Sequence, residues 1–300
     1  MKFSMEIIKQ KREEFRKNKE NKLKADNFIE LLLEAERENE KQSNETDKNN
    51  KQTAKCKFFV LLMVFLSFLY IFFTFTVVSN EEIIANSVVF FLAGYETVST
   101  SASIATFLIA THPKVQEKLV QEIHLQLEKL KKESENSVID PIKLVTLESL
   151  TRFEYLNAVV SETLRLYTPT PFIERTASKD VKLETSDGKV KINIKKGDIV
   201  HMPVYSLHYD PLSFENPDSF NPDRFMGNPK YHKYSFIPFG AGPRSCIART
   251  LALFELKLAL LHIFNSFKVS PCSETKIPME FFNQGTFIVP KDCILKVEKR

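Results

Sequence analysis

The chain has 300 residues, 43% of them hydrophobic and 27% charged, so it can bury a core, and disorder along its whole length is excluded. Its 42 Lys and Arg against 38 Asp and Glu leave a net charge of +4, too balanced to argue for nucleic-acid binding. The four cysteines, Cys56, Cys246, Cys272 and Cys293, form no CxxC pair, which excludes a zinc ribbon and a thioredoxin-type site and argues against a disulfide scaffold.

Residues 1–57 carry 27 Asp, Glu, Lys or Arg, and Met1–Lys24 lacks the apolar segment of a secretory signal. Phe3–Asn18 fits a solvated helix. Asp26 can cap a second one with Phe28, Ile29, Leu31, Leu32 and Leu33 on its buried face. Residues 39–57 are polar and predict a disordered loop. Residues 58–78 are a 21-residue run without a charge, and seven of them are Phe. That length and composition meet the rule for a transmembrane helix. Lys55 and Lys57 against Glu81 and Glu82 would then put residues 1–57 in the cytoplasm. The same Phe-rich run also fits translated non-coding sequence or a buried core helix, and the three readings stay open.

Residues 79–170 predict helices. Asn80-Glu81-Glu82 is a capping start, Ile83, Ile84, Val88, Phe91 and Leu92 form an apolar face, and His112-Pro113 is a stop. Val115–Leu130 is amphipathic, and Leu147–Leu166 predicts a third helix stopped by Pro169 and Pro171. In residues 172–207, Val181–Glu184 and Val190–Ile194 flank Asp187-Gly188, a hairpin-turn signal. Residues 208–245 are Pro-rich and irregular. A long apolar helix follows at Ile247–Phe267, then strands at Thr286–Val289 and Ile294–Val297. The fold class is mainly α with a small β portion.

The chemistry converges on Phe236–Ala248, FIPFGAGPRSCIA. Gly240, Gly242 and Pro243 make a tight loop in which backbone can approach a flat ligand. Cys246 ends that loop at the start of a helix, whose N–H groups and dipole favour a thiolate. A thiolate is a good axial ligand for haem iron. Glu162 and Arg165 stand i,i+3 on one helix face, which alone reads as a surface pair. Glu96 and Thr97 follow Ala93 and Gly94 in an apolar helix, and a carboxylate beside a hydroxyl is what proton delivery needs. No histidine pair among His112, His124, His201, His208, His232 and His262 has metal-ligand spacing such as HExxH, and each reads as structural or surface.

The stretch PFGAGPRSCIA resembles the haem-binding signature of the cytochrome P-450 family, with Ala248 where Gly is commoner. FFLAGYET, THPKVQEKL, SETLRLY and PCSETKIP add likeness to the animal family-3 microsomal enzymes, from roughly Phe3 to Arg300 apart from the Phe-rich run. The resemblance implies that Cys246 ligates the iron of haem b. It implies that Arg244 and Arg175 bind the propionates, with Phe239, Gly240, Ala93 and Gly94 against the cofactor. Thr97 and Glu96 would serve oxygen activation and proton relay. Arg224 of Pro222-Asp223-Arg224-Phe225 would join Glu162 and Arg165 in a buried network under the thiolate loop. Leu92, Thr170, Pro171, Gln284 and Gly285 would line the substrate pocket.

The expected activity is that of a monooxygenase inserting one atom of O2 into an apolar steroid, lipid or foreign compound. Electrons would come from NADPH through cytochrome P-450 reductase, with cytochrome b5 as a second partner. The expected place is the cytoplasmic face of the endoplasmic reticulum membrane. Tyr231, His232, Lys233 and Arg249 fit a basic face for a redox partner and equally a solvated surface. The chain is shorter than members of that family, and the resemblance implies the C-terminal part of the fold, with the N-terminal half missing. Rival readings are an inactive fragment or pseudo-enzyme that binds haem weakly, a membrane-tethered interaction protein, and a haem-thiolate isomerase. Three segments are expected: 1–57, 58–78 and a haem-binding 79–300.

Overall fold

The computed structural model describes residues 79–134, 140–185, 187–228, 230–282 and 287–300. The elements expected in residues 1–57, the 58–78 run, and Gln284 and Gly285 lie outside the described residues. Helix α1 (Asn80–Thr111) is capped one residue earlier than its sequence suggests. Ser79 N–H donates to Glu82 Oε2 at 2.7 Å and Glu82 N–H to Ser79 Oγ at 3.2 Å, a reciprocal capping box. Compact units divide inside this helix, at residues 93 and 94, rather than at residue 79. In the first, Ile83 of the predicted apolar face is fully buried, while Phe91 and Leu92 leave 72% and 60% of their surface open.

In the second unit, α1 continues with Ala105, Ile109 and Ala110 in the core. Pro113 opens helix α2 (Pro113–Glu133), since its missing N–H would be unsatisfied there in any residue. Leu119, Val120, Ile123, Leu127 and Leu130 recur at helical spacing and are buried. They meet Leu156, Val159, Val160 and Leu164 of helix α3 (Glu154–Leu166) in one cluster. After the short helix α4 (Val204–His208), helix α5 (Arg249–Ser266) adds Leu256, Leu260, Leu261 and Phe264. Among the described residues, one stretch, Glu81–Thr111, is long and apolar enough to cross a membrane by length and composition.

Among the described residues, three antiparallel pairs accompany the helices: β1 (Ile173–Thr176) with β4 (Ile199–Met202), β2 (Val181–Glu184) with β3 (Lys191–Ile194), and β5 (Phe267–Ser270) with β6 (Lys296–Lys299). The Asp187-Gly188 turn closes the β2–β3 hairpin, with Gly188 at φ +71°.

Three boundaries differ from the sequence reading. The third helix does not run from Leu147. Thr146 and Ser149 exchange side-chain bonds to each other's N–H groups, a 3-10 turn follows over Ser149–Arg152, and Phe153 turns the chain into α3. Helix α5 begins at Arg249, not Ile247, because the loop through Cys246 first closes on itself. The last strand is Lys296–Lys299 rather than Ile294–Val297, since its register is set by β5. Phe287, Ile288 and Val289 form no strand, although Phe282 N–H donates to Val289 O.

Helix α3 lacks a side-chain cap from its own N-cap residue. Glu122 of α2 supplies one from outside, accepting from Tyr155 N–H at 2.7 Å and Leu156 N–H at 2.9 Å. A carboxylate there also meets the positive end of the helix dipole. Glu122→Ala is expected to lower stability by about 1–2 kcal/mol. The urea midpoint should fall at unchanged slope, and Glu122→Gln should recover part of the loss.

Candidate functional site

The site is built outward from a buried charge. Glu162 and Arg165 on α3 are both 0% exposed. An unpaired carboxylate in that position would be very costly, so every lone pair needs a donor. Arg165 Nε donates to Glu162 Oε2 at 2.7 Å and Arg165 Nη2 to Oε1 at 2.9 Å, a bidentate pair. Oε1 also accepts from Asn221 N–H at 2.9 Å and Arg224 Nε at 3.0 Å. Arg224 spends its remaining donors on the carbonyls of Glu215 and Asn216. Arg165 Nη1 donates to His208 O at 2.8 Å, and its guanidinium lies over the Phe214 ring at 5.2 Å. The three charges expected to cluster are therefore joined, and they pin the irregular chain between α4 and α5 to helix α3.

That chain ends in the cysteine loop. Gly240 N–H donates to Ile237 O at 2.9 Å, and Cys246 N–H donates to Phe239 O at 2.8 Å. The turns between need positive φ, +72° at Gly240 and +78° at Gly242. A Cβ on either glycine would meet no close neighbour, so the requirement is backbone conformation, not space. Cys246 is free and exposed, three residues before α5. Ile247 beside it is 84% exposed.

Two arginines belong to this region, Arg244 in the loop and Arg175 on the neighbouring strand β1. Arg175 on β1 donates through Nη2 to Arg244 O at 3.4 Å and through Nη1 to Glu174 O at 2.7 Å. Both arginines are exposed, and neither has a carboxylate partner among the described residues. An open thiol, an open apolar side chain and two cations without counter-anions fit a flat apolar ligand that carries two carboxylates.

Other expected residues are placed as follows. Glu96 is exposed and Thr97 half-buried on α1; Ser101 Oγ donates to Thr97 O at 2.7 Å. Gly94 has no atom within 4 Å of where a Cβ would stand. Thr170 and Pro171 are half-buried between α3 and β1, and Ile288 N–H donates to Pro169 O at 3.1 Å. The chain just beyond Gln284 and Gly285 thus meets the segment that carries Thr170.

Residues 67–297 match the family model for cytochrome P450. The chain belongs to the cytochrome P450 family. Cytochrome P450 3A31 of Mesocricetus auratus is 41% identical over 224 residues, 74% of this chain and 41% of that protein. Cytochrome P450 3A29 of Sus scrofa is 39% identical over 228 residues, and cytochrome P450 3A5 of Homo sapiens 38% over 223, each again covering 74% of this chain and 41% of the relative. The chain therefore spans about 41% of the length of these relatives. The family match starts inside the apolar run. Residues 67–78, read as foreign to the cytochrome P450 family, fall within it, and residues 1–66 fall outside it.

One residue of this cytochrome P450 stands differently from its sequence reading, and another takes the structural one of its two readings. Tyr231 is no open surface group for a redox partner. It is half-buried against Phe214, Phe225 and Phe236, and burial pushes its phenol above the usual range. His208 is 0% exposed and holds the network to the loop, accepting from Ile237 N–H at Nε2 and bonding Arg165 O through Nδ1. Both of its partners are backbone groups, so side-chain pattern could not reveal it; the only trace was a lone His in a short apolar helix before Asp210-Pro211.

Glu162→Gln should destabilise the chain by about 3–5 kcal/mol, because it strands the buried Arg165 guanidinium and the part-buried Arg224 guanidinium. Chemical denaturation measures this, and Arg165→Lys should rescue little, since it loses the bidentate fork. Burial pushes His208 from its ordinary value down to about 4. As pH falls, the unfolded chain takes up this proton first. The contribution is present above about 6.5 and is lost toward pH 4, at most about 1.4 kcal/mol per pH unit. Denaturation curves between pH 7.5 and 4.5 should show the fall.

Proposed function

We propose that this chain serves a haem-thiolate monooxygenase. The observation that carries the reading is the exposed, free Cys246, held by its N–H bond to Phe239 O in a loop whose Arg244 carbonyl accepts from Arg175. A haem b held there would supply oxygen activation and insertion of one oxygen atom into an apolar organic substrate. Cys246 Sγ would hold the iron in this reading, from its place three residues before the start of α5. Phe239 backs the loop: it is half-buried, with the Arg249 guanidinium 5.8 Å from its ring. Arg244 and Arg175 take the two propionates by charge-assisted bonds.

On the opposite role, Glu96 and Thr97 on α1 move a proton, the carboxylate taking it from solvent and the hydroxyl passing it on. Ala93 and Gly94 leave room beside them. Thr170 and Pro171, half-buried between α3 and β1, suit the wall of a pocket for an apolar substrate such as a steroid, lipid or foreign compound. NADPH supplies electrons through cytochrome P450 reductase, with cytochrome b5 as an accessory donor. The exposed His232, Lys233 and Arg249 suit an acidic redox partner. The relatives named above support the family chemistry, and the endoplasmic reticulum membrane is the proposed location.

The chain loaded with haem, reduced under carbon monoxide, should give the strongly red-shifted Soret band of thiolate ligation. Cys246→Ala should abolish it. A band at the position of nitrogen-ligated or free haem in the parent chain overturns the reading and favours an inactive product. Arg244→Ala and Arg175→Ala should each speed haem transfer to an acceptor protein by roughly 10–100-fold, the loss of one charge-assisted bond.

A further inference from the structure

Outside the expected site residues, His208 is the side chain whose placement asks most for a reason. It closes α4, has no exposed surface, and packs against the Phe236 ring at 5.3 Å. Its bonds fix its state. Ile237 N–H can only donate, so Nε2 at 3.0 Å is an acceptor and carries no proton. Nδ1 then holds the proton and donates to Arg165 O at 3.1 Å. Arg165 Nη1 returns a bond to His208 O at 2.8 Å. An imidazolium would set its second N–H against that of Ile237 and break the link. Arg165 is the charged group facing the ring, and Glu162 balances it.

From Ile237 the path continues without a gap. Ile237 O accepts from Gly240 N–H, and Phe239 O from Cys246 N–H. The ring is thus the joint between the buried Glu162 charge and the loop that presents the thiol.

We propose that His208 is a positioning residue: its neutral imidazole couples the Glu162–Arg165–Arg224 network to the Ile237–Cys246 loop and holds Cys246 Sγ in ligating position, and protonation of the ring releases that loop. The proposal rests on the haem-thiolate reading for what Cys246 ligates, but not for the coupling itself. Burial pushes His208 far below its ordinary value, in keeping with a ring kept neutral near pH 7.

The test uses the full chain and three forms: parent, His208→Gln and His208→Leu. Gln keeps one donor and one acceptor; Leu keeps neither. In the haem-free chain, amide hydrogen exchange at Ile237 and Cys246 should quicken roughly tenfold in His208→Leu, with α3 amides unchanged and most protection restored in His208→Gln. In the haem-loaded chain, His208→Leu should move absorbance from the red-shifted Soret band toward the neutral-thiol position, while His208→Gln keeps the band. If His208→Leu does not fold, the parent decides the matter. Nitrogen NMR should show the Nδ1–H tautomer near pH 7, and the Ile237 and Cys246 amides should lose protection as the ring protonates at lower pH. Parent-like exchange at both amides in His208→Leu, a uniform loss across α3, or an Nε2–H tautomer overturns the proposal. A parent chain without the red-shifted band sinks the haem-thiolate reading alone, since the amide exchange still decides the coupling.

Discussion

A single carboxylate with no water around it organises much of this molecule. Glu162 sits at 0% exposure on α3, and four donors converge on its two oxygens. Arg165 comes from the same helix, but Asn221 and Arg224 come from some sixty residues further along. A charge in an apolar interior tolerates no missing partner, so the irregular chain between α4 and α5 has one acceptable position. Among the described residues, Asn157 Oδ1 is the only buried side-chain polar atom left without a bond. The network is complete, and completeness is what makes it rigid.

Rigidity matters because the loop it supports has little packing of its own. Residues 241–247 are all exposed. Their shape comes from positive-φ glycines, Pro243 and backbone bonds, among them Ser245 N–H to Gly242 O, rather than from buried area. A loop of that kind would fray if its base were mobile. Its base is Ile237, tied through His208 to Arg165. The chemistry proposed for Cys246 therefore depends on a charge pair that never touches the ligand.

The helices could be read from sequence where local signals and packing agreed. The stop at His112-Pro113 and the face Leu119, Ile123, Leu127 and Leu130 are set by proline and by spacing, both local. The start of α3 was misplaced because Thr146 and Ser149 satisfy each other in a short turn that competes with helix. Strand β6 was placed two residues early because its register belongs to β5, whose Ser270 pairs with Lys296 far along the chain. Within the site, Cys246 was legible because its glycines, proline and arginine crowd into ten residues. Glu162 and Arg165 were visible as a spacing, but their burial was not. His208 left only the trace of a lone histidine before Asp210-Pro211, because its partners are backbone atoms.

The central claim is that the buried charge and the cysteine loop are one mechanical unit. A double-mutant cycle between Glu162→Gln and His208→Gln, read as the free energy of opening at the Cys246 amide by hydrogen exchange, tests it most directly. The account predicts a coupling energy of about 0.5–3 kcal/mol between two positions that share only Arg165. Additive effects, with each substitution acting on Cys246 as though the other were absent, would contradict it.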